Sequence, residues 1–424
     1  MISDNPTPPD RPHMRATSLL SNLLQLNKTR IVAVGFDRNG VVVDVAPRSR
    51  TPRCSGCLRS RARIHDRRSR RWRHLDLAGM KLFVRYDIAR IDCAVCGVVV
   101  ELVPWAAPGS WFTYDFETTT GHLLQNLSTT AVAKLMRTSW RTVGEVARRV
   151  VERMCEGKDE LDGLRRIGID ELSYRRHHEY VTVVVDHDRR RVVWAAPGKN
   201  AATVAKFFEQ LGTERSAAIE LVTIDMSAAY IKAVTEHAPK ARLVFDRFHV
   251  QRLAHEALDE VRREQMRSLE DDAIRRSTKR TRYALQKNPW NMTRLETETI
   301  ANLQQRNKPL YRAYLLKESL AEILDRRQVG VAGRKLDEWI AWAARSRLGP
   351  FVKLARTMKK YRAGILGYVQ TRKSNGLIEG LNGKIRTITR RAYGLHSASA
   401  LIALIFLCCA GLTIDPVHVL PLNV

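Results

Sequence analysis

The sequence predicts a multidomain α+β protein: a small zinc-binding β module, a helix-turn-helix pair, and an α/β core interrupted by an all-helical insertion. Three observations carry this prediction. Cys54, Cys57, Cys93 and Cys96 stand in two Cys-x-x-Cys pairs. Between Arg166 and Asp246 the apolar pattern switches between strand and helix periods in the order βββαβαβα. From 247 to 360 no stretch has strand character, and a helix punctuated by Gly376, Gly380 and Gly383 follows.

Size and charge narrow the partners. The 424 residues suffice for several domains with a sizeable core. Lys and Arg outnumber Asp and Glu by 72 to 44, a net charge of +28, which draws polyanions toward the surface. DNA is the first candidate, because phosphate neutralisation supplies most non-specific affinity. A membrane surface is the rival. The N-terminus carries no signal peptide, and the longest apolar run, Ala400 to Ala410, falls well short of the about 20 residues of a spanning helix. A soluble, intracellular protein is expected.

Residues 1–30 form a tail, Pro- and Asp-rich and expected to be disordered over 1–13, with a short helix near Ser18 to Leu26. The β module is expected over 31–105. Ile31–Asp37 and Val41–Ala46 flank Arg38-Asn39-Gly40, and Asn-Gly is the strongest short hairpin signal. The four paired thiols suit tetrahedral Zn²⁺. His65 and His74, in the 35-residue gap between the pairs, are alternative ligands; the all-cysteine site is preferred. The same gap holds Arg67, Arg68, Arg70 and Arg71 with Trp72 among them, either a solvated charged loop or, preferred here, a phosphate-gripping surface. Cys155, Cys408 and Cys409 are expected to be ordinary thiols in apolar or helical surroundings.

Pro104, Pro108 and Gly109 make 101–115 look like a linker, and 106–160 is expected to hold the helix-turn-helix. Thr130–Met136 and Trp140–Met154, broken at Thr138-Ser139, would offer Arg141, Thr142, Arg148 and Arg149 to a groove. The core is expected over 161–250 and again over 361–413, with the helical insertion, including a long helix from Val250 to Arg276, at 251–360.

Asp170 ends or nearly ends the first core strand, and Asp225 ends the fourth. In open α/β sheets the reactive crevice lies beyond the strand C-termini where the strand order reverses, so the two become neighbours. Glu379 sits on the polar stripe of the glycine-marked helix with Asn375, Asn382, Arg386 and Arg390; Ile378, Leu381, Ile385 and Ile388 form its apolar stripe. Each glycine weakens that helix by about 1 kcal/mol, so a strand or a DNA backbone is expected to pass close by. Three carboxylates are hard ligands for Mg²⁺, and a pair of such ions about 3.5–4 Å apart activates a nucleophile and stabilises a leaving oxygen. The competing reading makes Asp170 and Asp225 strand-end caps and Glu379 a solvated side chain. Asp246 and His249 form a supporting pair or a structural hydrogen bond; Asp186 and Asp188 are expected as turn residues.

Gly168-Ile169-Asp170-Glu171, Thr223-Ile224-Asp225-Met226-Ser227, Asp246-Arg247-Phe248-His249-Val250, the block Ser374 to Asn382, and Arg390-Arg391-Ala392-Tyr393-Gly394 together resemble bacterial insertion-sequence transposases of the Asp-Asp-Glu class. Within that class the chain is similar to the ISL-three branch, over roughly residues 50 to 410. The resemblance implies a ribonuclease-H-like core, with Asp170, Asp225 and Glu379 as catalytic ligands of Mg²⁺ or Mn²⁺. It also implies terminal inverted repeats and target DNA as partners, a homo-oligomer at least dimeric, and a cytoplasmic, nucleoid-associated location. Two rivals differ testably. A non-catalytic DNA-binding regulator would be indifferent to loss of Asp170 or Glu379, and a metal nuclease without strand transfer would need no end-binding modules.

Overall fold

Asp37-Arg38-Asn39-Gly40 reverses the chain at the start of the first sheet. Asp37 Oδ1 accepts the Asn39 N–H at 2.8 Å, and Gly40 holds φ +136° with a Lys81 carbonyl 2.1 Å from where a Cβ would stand. Only glycine fits. The structure is a computed structural model that describes residues 15–49, 51–60, 63–175, 179–268, 281–372, 376–392 and 397–415. Residues 1–13, the far end of the helix expected to reach Arg276, Asn375 with Ser374, and Tyr393-Gly394 lie outside the described residues. Described residues of 1–156 and 412–424 form one compact unit and those of 157–411 another.

In the first unit α1 (Ala16–Leu24) precedes β1 (Thr29–Asp37), β2 (Gly40–Pro47), β3 (Arg63–Leu77), β4 (Met80–Cys93) and β5 (Gly97–Val100). The sheet runs β1-β2-β4-β3, with β5 on the outer part of β4. The arginine-dense gap is therefore a long β-hairpin, not a loop, and Trp72 is a core residue. Residues 101–115 are no free linker. Val103, Trp105 and Ala106 are buried, with Trp105 edge-on to Trp72 and Tyr86 at 5.6 and 5.4 Å between ring centroids. Burying that indole outweighs the Pro and Gly breaks that suggested flexibility.

Three helices follow, each started by a hydroxyl cap: α2 (Tyr114–Asn126) by Thr113, α3 (Thr129–Leu135) by Ser128 and α4 (Trp140–Cys155) by Ser139. Val132, Val143, Val146 and Val150 pack α3 and α4 together as a helix-turn-helix. Residues 412–415 return to α2, where the Leu412 and Ile414 carbonyls bond Gln125 and His122.

The second unit is built on the sheet β10-β9-β6-β7-β8. Its strands are β6 (Arg166–Arg175), β7 (Glu179–Asp186), β8 (Arg191–Pro197), β9 (Leu221–Ile224) and β10 (Arg242–Phe245). The connecting helices are α5 (Ala201–Leu211), α6 (Thr213–Ala217) and α7 (Ala228–His237). β6 pairs antiparallel with β7 and parallel with β9, so the first and fourth core strands are neighbours. The Asp186 carboxylate accepts the Asp188 and Arg189 N–H groups, the turn role expected of it.

Beyond β10 come α8 (Arg247–Arg267), α9 (Arg282–Gln286), a 3₁₀ turn at Pro289–Asn291, α10 (Arg294–Arg306), α11 (Lys308–Asp325), α12 (Val329–Ala344), α13 (Gly349–Lys360) and α14 (Arg362–Thr371). These helices share one apolar core with the sheet. α14 lies close on β10, where Gly364 would place a Cβ 2.3 Å from the Phe245 ring. Two helices close the unit, α15 (Gly376–Arg391) and α16 (Ala398–Cys409), the latter nearly all apolar. α15 begins at Gly376; Arg372 is the left-handed cap of α14, bonded to carbonyls at the end of α11.

Candidate active site and metal centre

The Cys54, Cys57, Cys93 and Cys96 sulfurs all lie within 4.8 Å of one another, with Cys57 and Cys93 3.5 Å apart. The β4–β5 turn presents the second pair, and a bridge between Cys54 and Glu101 holds the first against it. The Cys57 and Gly56 N–H groups reach Cys54 Sγ and hold its pKa down to about 6. Backbone N–H groups likewise lower Cys93, while Cys96 is pushed up to about 12 by its bonds to Cys54 and Cys57. Thiolate character is thus favoured at part of a four-sulfur cage, the donor chemistry of a structural Zn²⁺ site. His65 is exposed beside Asp66, and His74 is buried with Nδ1 2.8 Å from Thr113 Oγ1, so neither belongs to the cage.

The arginines separate by what already holds them. Arg67 and Arg68 are exposed on β3, Arg67 donating to the Asp87 carbonyl at 3.1 Å and Arg68 standing 3.9 Å from Asp66. Arg70 lies over the Trp111 ring at 4.5 Å and donates to the Ser110 carbonyl, and Arg71 pairs with Asp37. On α4 Arg141 is exposed and Arg148 pairs with Glu152. Arg149, expected to face a groove, instead joins Arg153 in binding the fully buried Glu117. A buried carboxylate needs such partners, and nothing in the local pattern signals that choice.

In the second unit the acidic residues gather at one end of the sheet. Asp170 does not end its strand, which continues to Arg175 opposite Glu179; its parallel pairing with β9 does stop, at Gly168 with Thr223. Asp170 stands two residues further along β6 and Asp225 two residues further along the other chain segment, just past the end of β9. Asp170 accepts the Glu171 N–H at 2.9 Å and Asn382 Nδ2 at 2.7 Å. Burial raises its pKa, and the Asp225 charge adds to the rise against the pull of Glu171 N–H, His249 and Asn382. Asp225 accepts the Ser227 N–H at 2.9 Å. Glu379, on the exposed side of α15, is raised by burial and then by Asp246 and Asp170, with His249 opposing. Asp246 is fully buried at the start of α8, 3.8 Å from His249 Nε2.

Asp170, Asp225, Asp246, Glu379 and His249 therefore share one electrostatic neighbourhood. The acids are set more openly than the thiols: among the described residues only the four cysteines bring three or more ligand atoms within 4.8 Å of one another. The donors are hard oxygens, and the raised pKa values of Asp170 and Glu379 show that burial and like charge outweigh the groups that favour their charged forms; a divalent cation fits such a set.

α15 departs from its expected stripes. Asn382 is buried with Ile378, Ile385 and Ile388, and Leu381 is only half-buried, because the amide turns inward to reach Asp170. Arg386 and Arg390 are exposed. Among the described residues, and apart from the helix's own backbone and chain neighbours, no atom lies within 4 Å of a Cβ at Gly380 or Gly383, so no described strand passes there. The close approach is at Gly168 on β6, where a Cβ would stand 2.2 Å from Ile378 Cδ1.

Sequence reasoning passed over Glu171. It sits one residue from Asp170, on the other face of β6, with its pKa raised to about 7 by burial and by the Asp225 and Asp170 charges. Tyr230, hydrogen-bonded also to Thr182, and Lys199 oppose that rise. Its position directly after a candidate ligand was the available signal.

Comparisons with known proteins agree over most of the chain. A transposase family of the ISL3 DDE type matches residues 167–405, the helix-turn-helix domain of transposase family ISL3 matches 101–151, and the zinc-finger of transposase IS204/IS1001/IS1096/IS1165 matches 50–96. The chain is 40% identical to the transposase for insertion sequence element IS1557 of Mycobacterium tuberculosis, across 94% of this chain and 96% of that protein. It is 29% identical to the transposase for insertion sequence element IS1001 of Bordetella parapertussis, across 82% of this chain and 86% of that protein.

Proposed function

The chain belongs to the ISL3 family of DDE transposases, and from that premise we propose how its residues divide the work of cutting and rejoining DNA. It is a transposase of an insertion sequence, with a zinc-finger module, a DNA-binding helix-turn-helix and a DDE catalytic domain. Asp170, Asp225 and Glu379 are proposed as the catalytic ligands. The observation that carries this is that β6 and β9 pair in parallel up to Gly168 and Thr223, each two residues before Asp170 and Asp225, with Asn382 reaching Asp170 from the helix that bears Glu379.

Divalent metal, Mg²⁺ or Mn²⁺, supplies the charge that activates water and stabilises the leaving oxygen of a phosphodiester. The protein's part is positional. The Asn382 amide and the Glu171 N–H hold the Asp170 carboxylate in one orientation, and the Ser227 N–H does the same for Asp225. Asp246 and His249 are proposed to set the field around Glu379, and Asn375 is proposed as a further supporting residue. The freed 3′-hydroxyl is proposed to attack target DNA at the same site.

The zinc module and helix-turn-helix are proposed to bind terminal inverted repeats through Arg67, Arg68 and Arg141, with Arg148 exchanging Glu152 for phosphate. Arg70 and Arg71 shape that surface through Trp111 and Asp37. Arg386 and Arg390 are proposed to take phosphates near the cut, where the bare backbone at Gly380 and Gly383 admits a close DNA strand. Joining two ends calls for at least a dimer, working on chromosomal DNA in the nucleoid.

The test incubates end-labelled inverted-repeat DNA with the protein and Mg²⁺ or Mn²⁺. Wild-type protein should nick it to leave a 3′-hydroxyl. Asp170→Asn and Asp225→Asn should bind with unchanged affinity and lose at least about 10³-fold in cutting. Cutting that survives in Asp225→Asn overturns the assignment.

A further inference from the structure

A cleft of about 370 Å³ opens beside the acidic site, between α8 and α13. Asp225, Ser227 and His249 form its end at the sheet; Leu253 on α8 and Leu354 on α13 line it, with Arg252 and Lys353 alongside. We propose that this cleft receives one unpaired nucleobase from the strand flanking the phosphate that is cut. The inference rests on the transposase reading of the site and adds where the flanking strand goes.

Three features of the cleft support it. Its volume suits a single small-molecule-sized group, whereas a duplex, whose major groove alone is about 12 Å wide, does not enter. Its apolar lining, with Met226 and Ala257 beside the two leucines, offers the contact that a base removed from its stack requires. Its charges are mixed: Arg252 and Lys353 attract phosphate, while Glu256 and Glu260 line the same cleft and disfavour a run of phosphates inside it. The base goes in and the backbone stays at the mouth, next to Asp225. Arg252 shares Glu256 at 3.6 Å, leaving Lys353, exposed on α13, as the more available cation.

The experiment uses the full chain and element-end DNA carrying 2-aminopurine at each position flanking the cut in turn, in Ca²⁺ so that binding is read without cutting. A stacked 2-aminopurine is quenched. Wild-type protein should raise the fluorescence about fivefold or more at one flank position as the base leaves the stack. Leu253→Trp, which fills the cleft, and Lys353→Glu, an exposed change that spares folding, should abolish the rise. Leu253→Trp should hold end-DNA affinity within about threefold, since phosphate contacts elsewhere dominate it. No rise at any position in the wild type, or a rise retained in both variants, overturns the assignment. A parallel Mg²⁺ reaction separates the two ideas. Cutting without a rise removes the cleft assignment alone, and a rise without cutting removes the catalytic reading alone.

Discussion

Glu171 shows how much of this site is decided one side chain at a time. Its carboxyl, raised to about 7, binds a proton more tightly in the folded chain than in the unfolded one. The stability it contributes is therefore complete below its ordinary value of 4.5 and lost as pH climbs through about 7. In metal-free protein Glu171→Gln should add about 1–2 kcal/mol at pH 8, after allowing for solvent screening, and almost nothing at pH 5. Thermal melts at the two pH values check this, and an equal gain at both contradicts it. Asn382→Ala removes the amide from Asp170 without touching a candidate ligand. Cutting should fall about 10–100-fold while DNA binding holds, and a titration of activity against Mn²⁺ should shift to higher concentration. Unaltered metal dependence would make Asn382 a packing residue only.

Among the elements, α15 carries the most consequence, and two glycines fix its use in opposite ways. Gly168 lets it settle on β6: Gly168→Ala forces a Cβ against Ile378 and Thr223 Oγ1. Overpacking of that kind costs about 1–3 kcal/mol, and lifting the helix should depress cutting further than the melting temperature alone explains. Gly383 faces open space, so Gly383→Ala should stabilise α15 by about 0.5–1 kcal/mol while weakening DNA binding or cutting. Denaturant melts and filter binding on the same variant read both effects; improved stability with undiminished activity would remove DNA from that face. Arg372, at the end of α14, is left-handed and its side chain binds carbonyls at the end of α11, a turn that residue spacing does not signal.

For the whole molecule, the excess of cations and the zinc cage govern how DNA is met. Chelating zinc should unfold the β module and abolish inverted-repeat binding, while the 157–411 unit keeps its own melting transition. Calorimetry with and without chelator resolves the two transitions, and a single unaffected transition would make the cage dispensable. Among the described residues no helix is long and apolar enough to cross a membrane.

The sequence by itself determined the zinc ligands, the helix-turn-helix, the strand order and the three acidic candidates. Each is written in local chemistry: paired thiols, helical runs broken at Thr138-Ser139, a change of apolar period, and carboxylates set against apolar runs or stripes. Tertiary structure alone decided which cations remain available and which way polar side chains turn. Arg149 went to a buried glutamate, Arg70 to an indole and Asn382 inward to Asp170, choices made by neighbours far away in the chain. Residue type and spacing describe what a side chain can do; desolvation and the partners that packing brings determine what it does.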